Sequence, residues 1–412
     1  MIAARARLAN GGEDDMTRVT GGREGRTARA LERAHMPSDD AISLARYTRR
    51  GTPGETRIPD DFGPSQSLRG FEDDYRNIVD YIVRITHRIW EADDVEYIGD
   101  CYAPDSRVFD DYGLQIGSAK IIADTHHTTS AFSDIELVAE EVIWAGDDEI
   151  GFHTSHRVRI RGTNDGPSRY GPATGRRIEF VCMANCVARD NDIFLEHVTY
   201  NTAAMLTQLG HDPVDMARTL AAAPPPGWPR SSAVWEELRA SVRPARPLSL
   251  AEPVDGFDPD AFVRTLFDLI WSGDTGAAEI GVGADRGSPD DAVAECYAAD
   301  VAFEGPGGRG GTGIVEYAGF VGTLRSTFVE RRLAVDEVYW MASGESGHLV
   351  AVRWSMEATH GGAGDFGEPS GAPVQIWGIT QLELRDERVA REWMLFNEFD
   401  VMMQIARARH DE

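Results

Sequence analysis

The chain has 412 residues, enough for two or three domains, and its 42% hydrophobic content can fill a core in each, which excludes disorder throughout. A formal charge of -27, from 68 acidic against 41 basic residues, opposes a nucleic-acid partner, because a phosphate surface needs a basic stripe to release its counterions. Lys120 is the sole lysine, so Schiff-base chemistry has one candidate and no supporting context. Cys101, Cys182, Cys186 and Cys296 show no paired metal-ligand spacing and are too few for a disulfide framework, so reduced thiols in a cytoplasmic protein are expected. The sequence contains neither a signal-peptide pattern nor an apolar run of about 20 residues, and no membrane span is expected.

Residues 1–70 are rich in Arg, Gly, Asp and Pro and read as a flexible arm or a strap over a domain, with one helical stretch at Thr27–Ala34. A first domain over 71–220 opens on a helix whose Ile78, Ile82, Ile85 and Ile89 recur at helical spacing before Trp90. After Cys101-Tyr102-Ala103-Pro104-Asp105 comes a further helix beyond Gly117. Ile135–Trp144, Gly151–Gly162, Arg177–Arg189 and Phe194–Tyr200 then have the length, alternation and turn boundaries of strands. A proline-rich linker over 221–256 carries Pro224-Pro225-Pro226 and a short helix at Trp235–Leu238. The second domain, 257–412, opens on Phe262, Leu266, Leu269 and Ile270 before Trp271. It has extra residues at Gly273–Ala292, a surface insertion or a lid, and a glycine-rich stretch at Gly305–Gly311 that reads as a mobile loop.

The two domains are copies of each other. Cys296-Tyr297-Ala298-Ala299-Asp300 repeats the first Cys-Tyr-Ala motif, and Glu337-Val338-Tyr339-Trp340 repeats Glu141-Val142-Ile143-Trp144. In the same register Arg157 matches Arg353, Glu196 matches Glu392 and Asn201 matches Asn397. A repeat of this size is a duplicated domain, since each copy can close a core of its own.

This order of helices, Tyr-Ala-x-Asp, a further helix and curved antiparallel strands ending in Gln208-Leu209-Gly210 resembles the SnoaL-like polyketide cyclase group of the NTF2-like superfamily, over roughly 72–211 and 258–406. The resemblance implies an α+β fold of tandem NTF2-like cones, each a curved antiparallel sheet packed on helices, arranged as a pseudo-dimer. Its members include cyclases, ketosteroid isomerases, dehydratases, epoxide hydrolases and domains without activity. A lyase, cyclase or isomerase working by cofactor-independent acid-base chemistry is therefore expected. Hydratase, epoxide-hydrolase-like and non-catalytic ligand-binding or scaffold roles stay open.

In the ketosteroid-isomerase-like pattern the base lies five residues after the Asp of Tyr-Ala-x-Asp. That residue is Asp110 in the first copy and Gly305 in the second, where Glu304 should face the other way. Proton abstraction beside a carbonyl also needs a donor at the developing oxyanion. His197 and Asn201 share strand parity and could act as acid-base partner and orienting donor, or could merely satisfy a polar patch; Tyr112 is another donor. The positions answering to Asn201 often carry Asp in resembling cyclases, and both copies here have Asn. His156 shares an apolar side with Val158 and Ile160, opposite to His153, as a buried core histidine or a reserve catalyst. Trp144 and Arg157 are candidates for binding substrate, although Arg157 could instead pair across strands with Glu179. The sequence lacks the spacings of a zinc or iron site and a nucleotide-binding glycine loop, so neither metal nor cofactor is expected. The expected partner is a small apolar or carbonyl-containing molecule, with homo-oligomers compatible and functional asymmetry in favour of the first copy.

Overall fold

The computed structural model describes residues 37–38, 41–44, 62–223, 232–240, 257–271, 289–344 and 347–409. Helix α1 (Ile78–Trp90) starts at Asn77, whose side chain accepts from Asp80 N, and it buries Ile78, Ile82, Ile85 and Ile89. A short α2 (Ile98–Cys101) leads into β1 (Tyr102–Asp110), β2 (Gly113–Ile116) and α3 (Ser118–Ala131). Four long strands follow, β3 (Glu136–Asp147), β4 (Gly151–Thr163), β5 (Arg177–Arg189) and β6 (Asp192–Tyr200), then α4 (Thr202–Leu209) and α5 (Pro213–Ala221). The helix between the copies, α6, runs Ser232–Ala240, longer than the Trp235–Leu238 expected from sequence. The second copy comprises α7 (Pro259–Trp271), α8 (Pro289–Cys296), β7 (Tyr297–Glu304), β8 (Gly310–Thr312), α9 (Ile314–Thr327), β9 (Phe328–Ser343), β10 (Gly347–His360), β11 (Pro373–Arg385), β12 (Arg388–Phe396) and α10 (Glu398–Ala408).

Each copy builds one six-stranded sheet, ordered β2-β1-β6-β5-β4-β3 and β8-β7-β12-β11-β10-β9. The sheets are mixed rather than wholly antiparallel, because β1 lies parallel to β6 and β7 parallel to β12. Bulges at corresponding places, between Ala139 and Glu141 and between Arg353 and Trp354, curve the sheets into cones. The glycine-rich stretch after β7 is a 3-10 turn at Pro306–Gly308 followed by β8, not a loop throughout. Thr27–Ala34 and almost all of Gly273–Ala292 lie outside the described residues.

The central strands are buried along most of their length, with eight consecutive buried residues in β4, because both faces are covered. One face meets the cone's own helices; the other meets the second sheet. Val181 and Met183 of β5 pack on Ile379 of β11 and on Leu395 and Trp393 of β12. Polar contacts knit the same interface: Arg157 Nη1 donates to Gln381 Oε1 at 2.5 Å, and Gln381 Nε2 donates to Ser155 O at 2.9 Å. His153 is hydrogen-bonded to Glu337 at 2.7 Å, and Arg159 pairs with Glu304 at 3.0 Å. Trp235 and Leu238 of α6 close the seam against Phe109, Val187 and Leu195 of one copy and Trp377 of the other. The arrangement is a pseudo-dimer within one chain.

The described N-terminal pieces lie on the first copy. Ile42 and Leu44 are fully buried, and Ser67 and Arg69 hydrogen-bond Asp148. No helix among the described residues is long and apolar enough to cross a membrane.

Candidate functional site

The concave face of the first sheet and the helices α1 and α3 enclose a cavity of about 220 Å³. Its walls are mainly aliphatic, with Ile82, Ile85 and Ile89 from α1 and Val158, Ile160 and Val198 from the sheet. His156, Asp110 and Glu196 are among the titratable side chains that line it. His156 on β4 pairs with Ala184 on β5, and Ala184 pairs with Val198 on β6. Val108 pairs with Glu196 and Phe109 with His197, which puts Asp110 on the next rung, beside Val198. His156 and Asp110 therefore mark the ends of one rung across four strands, about 14 Å apart on a flat sheet and closer on a curved one. Glu196 lies one inward position deeper, about 8 Å from the Asp110 position by strand spacing and rise.

Asp110 closes β1 and accepts from Tyr112 N and from Gln115 Nε2, both at 2.7 Å. Glu196 Oε2 accepts from the Tyr102 hydroxyl at 2.9 Å. Burial pushes the Glu196 carboxyl up to about 7, Asp110 acts in the same direction, and the Tyr102 bond opposes them. At neutral pH a large share of Glu196 is thus a carboxylic acid that can donate. Burial, with Arg157 adding to it, lowers His156 to about 3, so its imidazole is neutral. His156 Nε2 is buried and has no hydrogen-bond partner among the described residues. Burial also drives the thiols of Cys182 and Cys186 well up, so neither is an ionised nucleophile.

At the open end, the hydroxyls of Tyr112 and Tyr170 hydrogen-bond each other. Phe399 of α10 packs edge-on against both rings at 6.2 and 6.3 Å, so the second copy buttresses this rim. Burial pushes Tyr170 up to about 12.

Asp110, Tyr112 and His156 thus line one cavity, while His197, Asn201, Arg157 and Trp144 do not. Successive strand residues face opposite sides, and since Glu196 takes the cone side, His197 is turned into the seam between sheets. There it stacks on Phe109 at 4.9 Å and meets Trp377 at 5.9 Å. The expected Asp110–His197 pairing in one pocket is therefore corrected. Asn201 donates to Gly305 O of the second copy at 3.0 Å, and Trp144 Nε1 donates to Ile42 O at 3.0 Å. Arg157 lies over the Trp393 ring at 3.5 Å and pairs with Glu140, not Glu179. The true register sets Arg157 opposite Met183 and gives Glu179 to Arg161.

Sequence reasoning did not select Glu196 and Tyr102 as functional, although both recur in the second copy, where Glu392 accepts from Tyr297 at 2.7 Å and Tyr317 at 2.9 Å. The surroundings of that second carboxylate differ. A Cβ on Gly305, the counterpart of Asp110, would stand 2.8 Å from Phe320 Cζ. A Cβ on Gly378, the counterpart of Cys182, would stand 2.4 Å from Trp354 Cζ2. Phe320, Trp354 and Tyr317 replace Asp124, Val158 and Ile121 of the first copy, and among the described residues these larger, buried rings occupy the corresponding space.

Residues 283–392 match the SnoaL-like domain family. No curated protein matches the chain. Among solved structures it is similar to a protein from Jannaschia sp. CCS1 described as a SnoaL-like polyketide cyclase, at 19% identity and a TM-score of 0.29, covering 32% of this chain and 90% of that one. IdmH of Streptomyces antibioticus, described as a polyketide cyclase, is 18% identical with a TM-score of 0.28, covering 36% and 99%. A protein with a ketosteroid isomerase-like fold from Catenulispora acidiphila, in complex with trimethylamine, is 17% identical with a TM-score of 0.27, covering 32% and 92%. The family match falls on the second copy, and the first copy repeats its strand order, so the chain carries two units of one fold, the second of them similar to the SnoaL-like domain.

Proposed function

We propose that the first copy is a cyclase- or isomerase-type enzyme that encloses a small, mostly apolar carbonyl compound and moves protons on it with its own side chains. The observation that carries this reading is the placement of Asp110, Glu196 and His156 on one wall of an apolar cavity whose counterpart is filled. Asp110, oriented by Tyr112 N and Gln115, takes a proton from the carbon beside the carbonyl. The protonated Glu196 donates to the oxygen on which charge develops, with Tyr102 fixing the carboxyl. The neutral His156 offers Nε2 on the same wall. Return of the proton from Asp110 to a different carbon completes an isomerisation; attack of the enolate carbon on a second carbonyl completes a ring closure, with the proton ending on the new alkoxide.

The test is deuterium uptake from D₂O into a panel of enolisable aromatic ketones, followed by mass spectrometry. The wild-type chain should accelerate exchange, and Asp110→Asn should lower the acceleration by about a hundredfold or more. Exchange that survives unchanged in both Asp110→Asn and Glu196→Gln would refute the assignment.

A further inference from the structure

Arg169 stands at the rim of the cavity, in the turn between β4 and β5 that closes with the Ser168–Gly171 bridge. Its guanidinium lies over the Tyr112 ring at 4.0 Å. It forms no hydrogen bond or ion pair with any described residue, although the chain has 68 acidic residues. The two nearby cavity carboxylates are engaged elsewhere, Asp110 with Tyr112 N and Gln115, and Asp124 with Lys120. Burial disfavours the charge on Arg169, and its acidic surroundings, with Asp110 and Asp124 as the groups ionised at neutral pH, oppose that. The cation is therefore retained with its planar fork uncommitted, a geometry suited to a carboxylate.

The second copy shows what the same turn looks like without a free cation. There Gly364 bridges Gly367, Asp365 stands in place of Arg169 and is paired with Arg309, and Phe366 in place of Tyr170 is buried against Phe328 and Phe396. The charge is reversed and the aromatic ring plugs the cone. In the first copy the turn instead presents a cation to a cavity larger than the roughly 150 Å³ apolar voids that accept benzene.

We infer that Arg169 selects substrates bearing a carboxylate, so that the ligand of the first cone is a compact one- or two-ring carbonyl acid with its anionic group at the rim and its reactive carbon toward Asp110 and Glu196. This inference rests on the proposed function of the same cavity. The acid-base groups lie deeper along the strands than the β4–β5 turn, so an anion held at the rim leaves the apolar body of the ligand over the His156–Ala184–Val198 rung.

Isothermal titration of the full chain with 2-naphthoate and with 2-naphthamide separates the two ideas. The acid should bind on the order of tenfold to a hundredfold tighter than the amide, the preference should shrink with added salt, and Arg169→Gln should abolish it. Arg169→Lys should keep part of it, and circular dichroism checks that each variant is folded. Equal affinity of acid and amide for the wild-type chain overturns the carboxylate inference and leaves the cavity reading intact. Lack of binding by either probe at millimolar concentration overturns both.

Discussion

Replacing Glu392 by glutamine isolates the electrostatics of the buried glutamate shared by both copies. Glu392 is nearly inaccessible, its partners are the uncharged hydroxyls of Tyr297 and Tyr317, and among the described residues buried aromatic rings stand around it. Burial is the leading cause that raises its carboxyl from 4.5 to about 7, against the opposing pull of the two tyrosine bonds. The folded state holds the proton more tightly than the unfolded chain. The group's stabilisation is therefore complete below about 4.5 and is lost as pH rises through 7, a change of roughly 3 kcal/mol in all. Glutamine cannot titrate, and any cost of its extra amide proton, about 1–3 kcal/mol, is independent of pH. Urea unfolding of both proteins at pH 5 and pH 8.5 should show Glu392→Gln gaining roughly 2–3 kcal/mol on the wild type between the two conditions. A stability difference that stays constant with pH, or that moves against the variant as pH rises, would refute the reasoning for Glu392 and weaken it for Glu196.

If Glu196 acts as the acid, deuterium exchange by the wild-type chain should fall as pH rises above about 7, and Glu196→Gln should remove that limb of the profile. Ala184→Leu, at the centre of the cavity floor, should abolish binding of 2-naphthamide in titration while thermal unfolding shows stability held or raised by about 1 kcal/mol. Trp354→Ala should empty the second cone and cost about 3–5 kcal/mol in denaturant unfolding. Arg157→Ala should cost about 1–3 kcal/mol, by leaving Gln381 Oε1 without its buried donor while Glu140 keeps its pair with Arg159, yet should spare the amide's affinity.

The duplication was legible because Cys-Tyr-Ala and Glu-Val-x-Trp recur in register, and register survives only where whole elements are repeated. Helix α1 and the long strands were legible from periodicity and turn boundaries. Facing was harder. Strand β6 is buried on both sides, so His197 and Glu196 carry no polar-apolar contrast to say which one enters the cone. The recurrence of Tyr102 with Glu196 as Tyr297 with Glu392 was a usable signal, since a paired acid and hydroxyl repeated in register mark a common buried bond. The β4–β5 register was also hidden, because the connection over 164–176 allows several pairings, and Arg157 met Met183 rather than Glu179. Asp110 fared better: its place after Tyr-Ala-x-Asp put it at the end of β1, where the strand meets the cavity. That the second cone is filled needed atomic contacts, since Trp354 against Gly378 and Phe320 against Gly305 are pairs distant in sequence.

The central claim, that the first cone receives the ligand and the second is a packed structural partner, is tested most directly by a difference-density map from crystals of the full chain soaked with 2-naphthoate. The account predicts one molecule per chain, inside the first cone on the His156–Ala184–Val198 rung and within reach of Asp110 and Glu196. Density in the second cone beside Glu392, or in the seam beside His197 with the first cone empty, would contradict it.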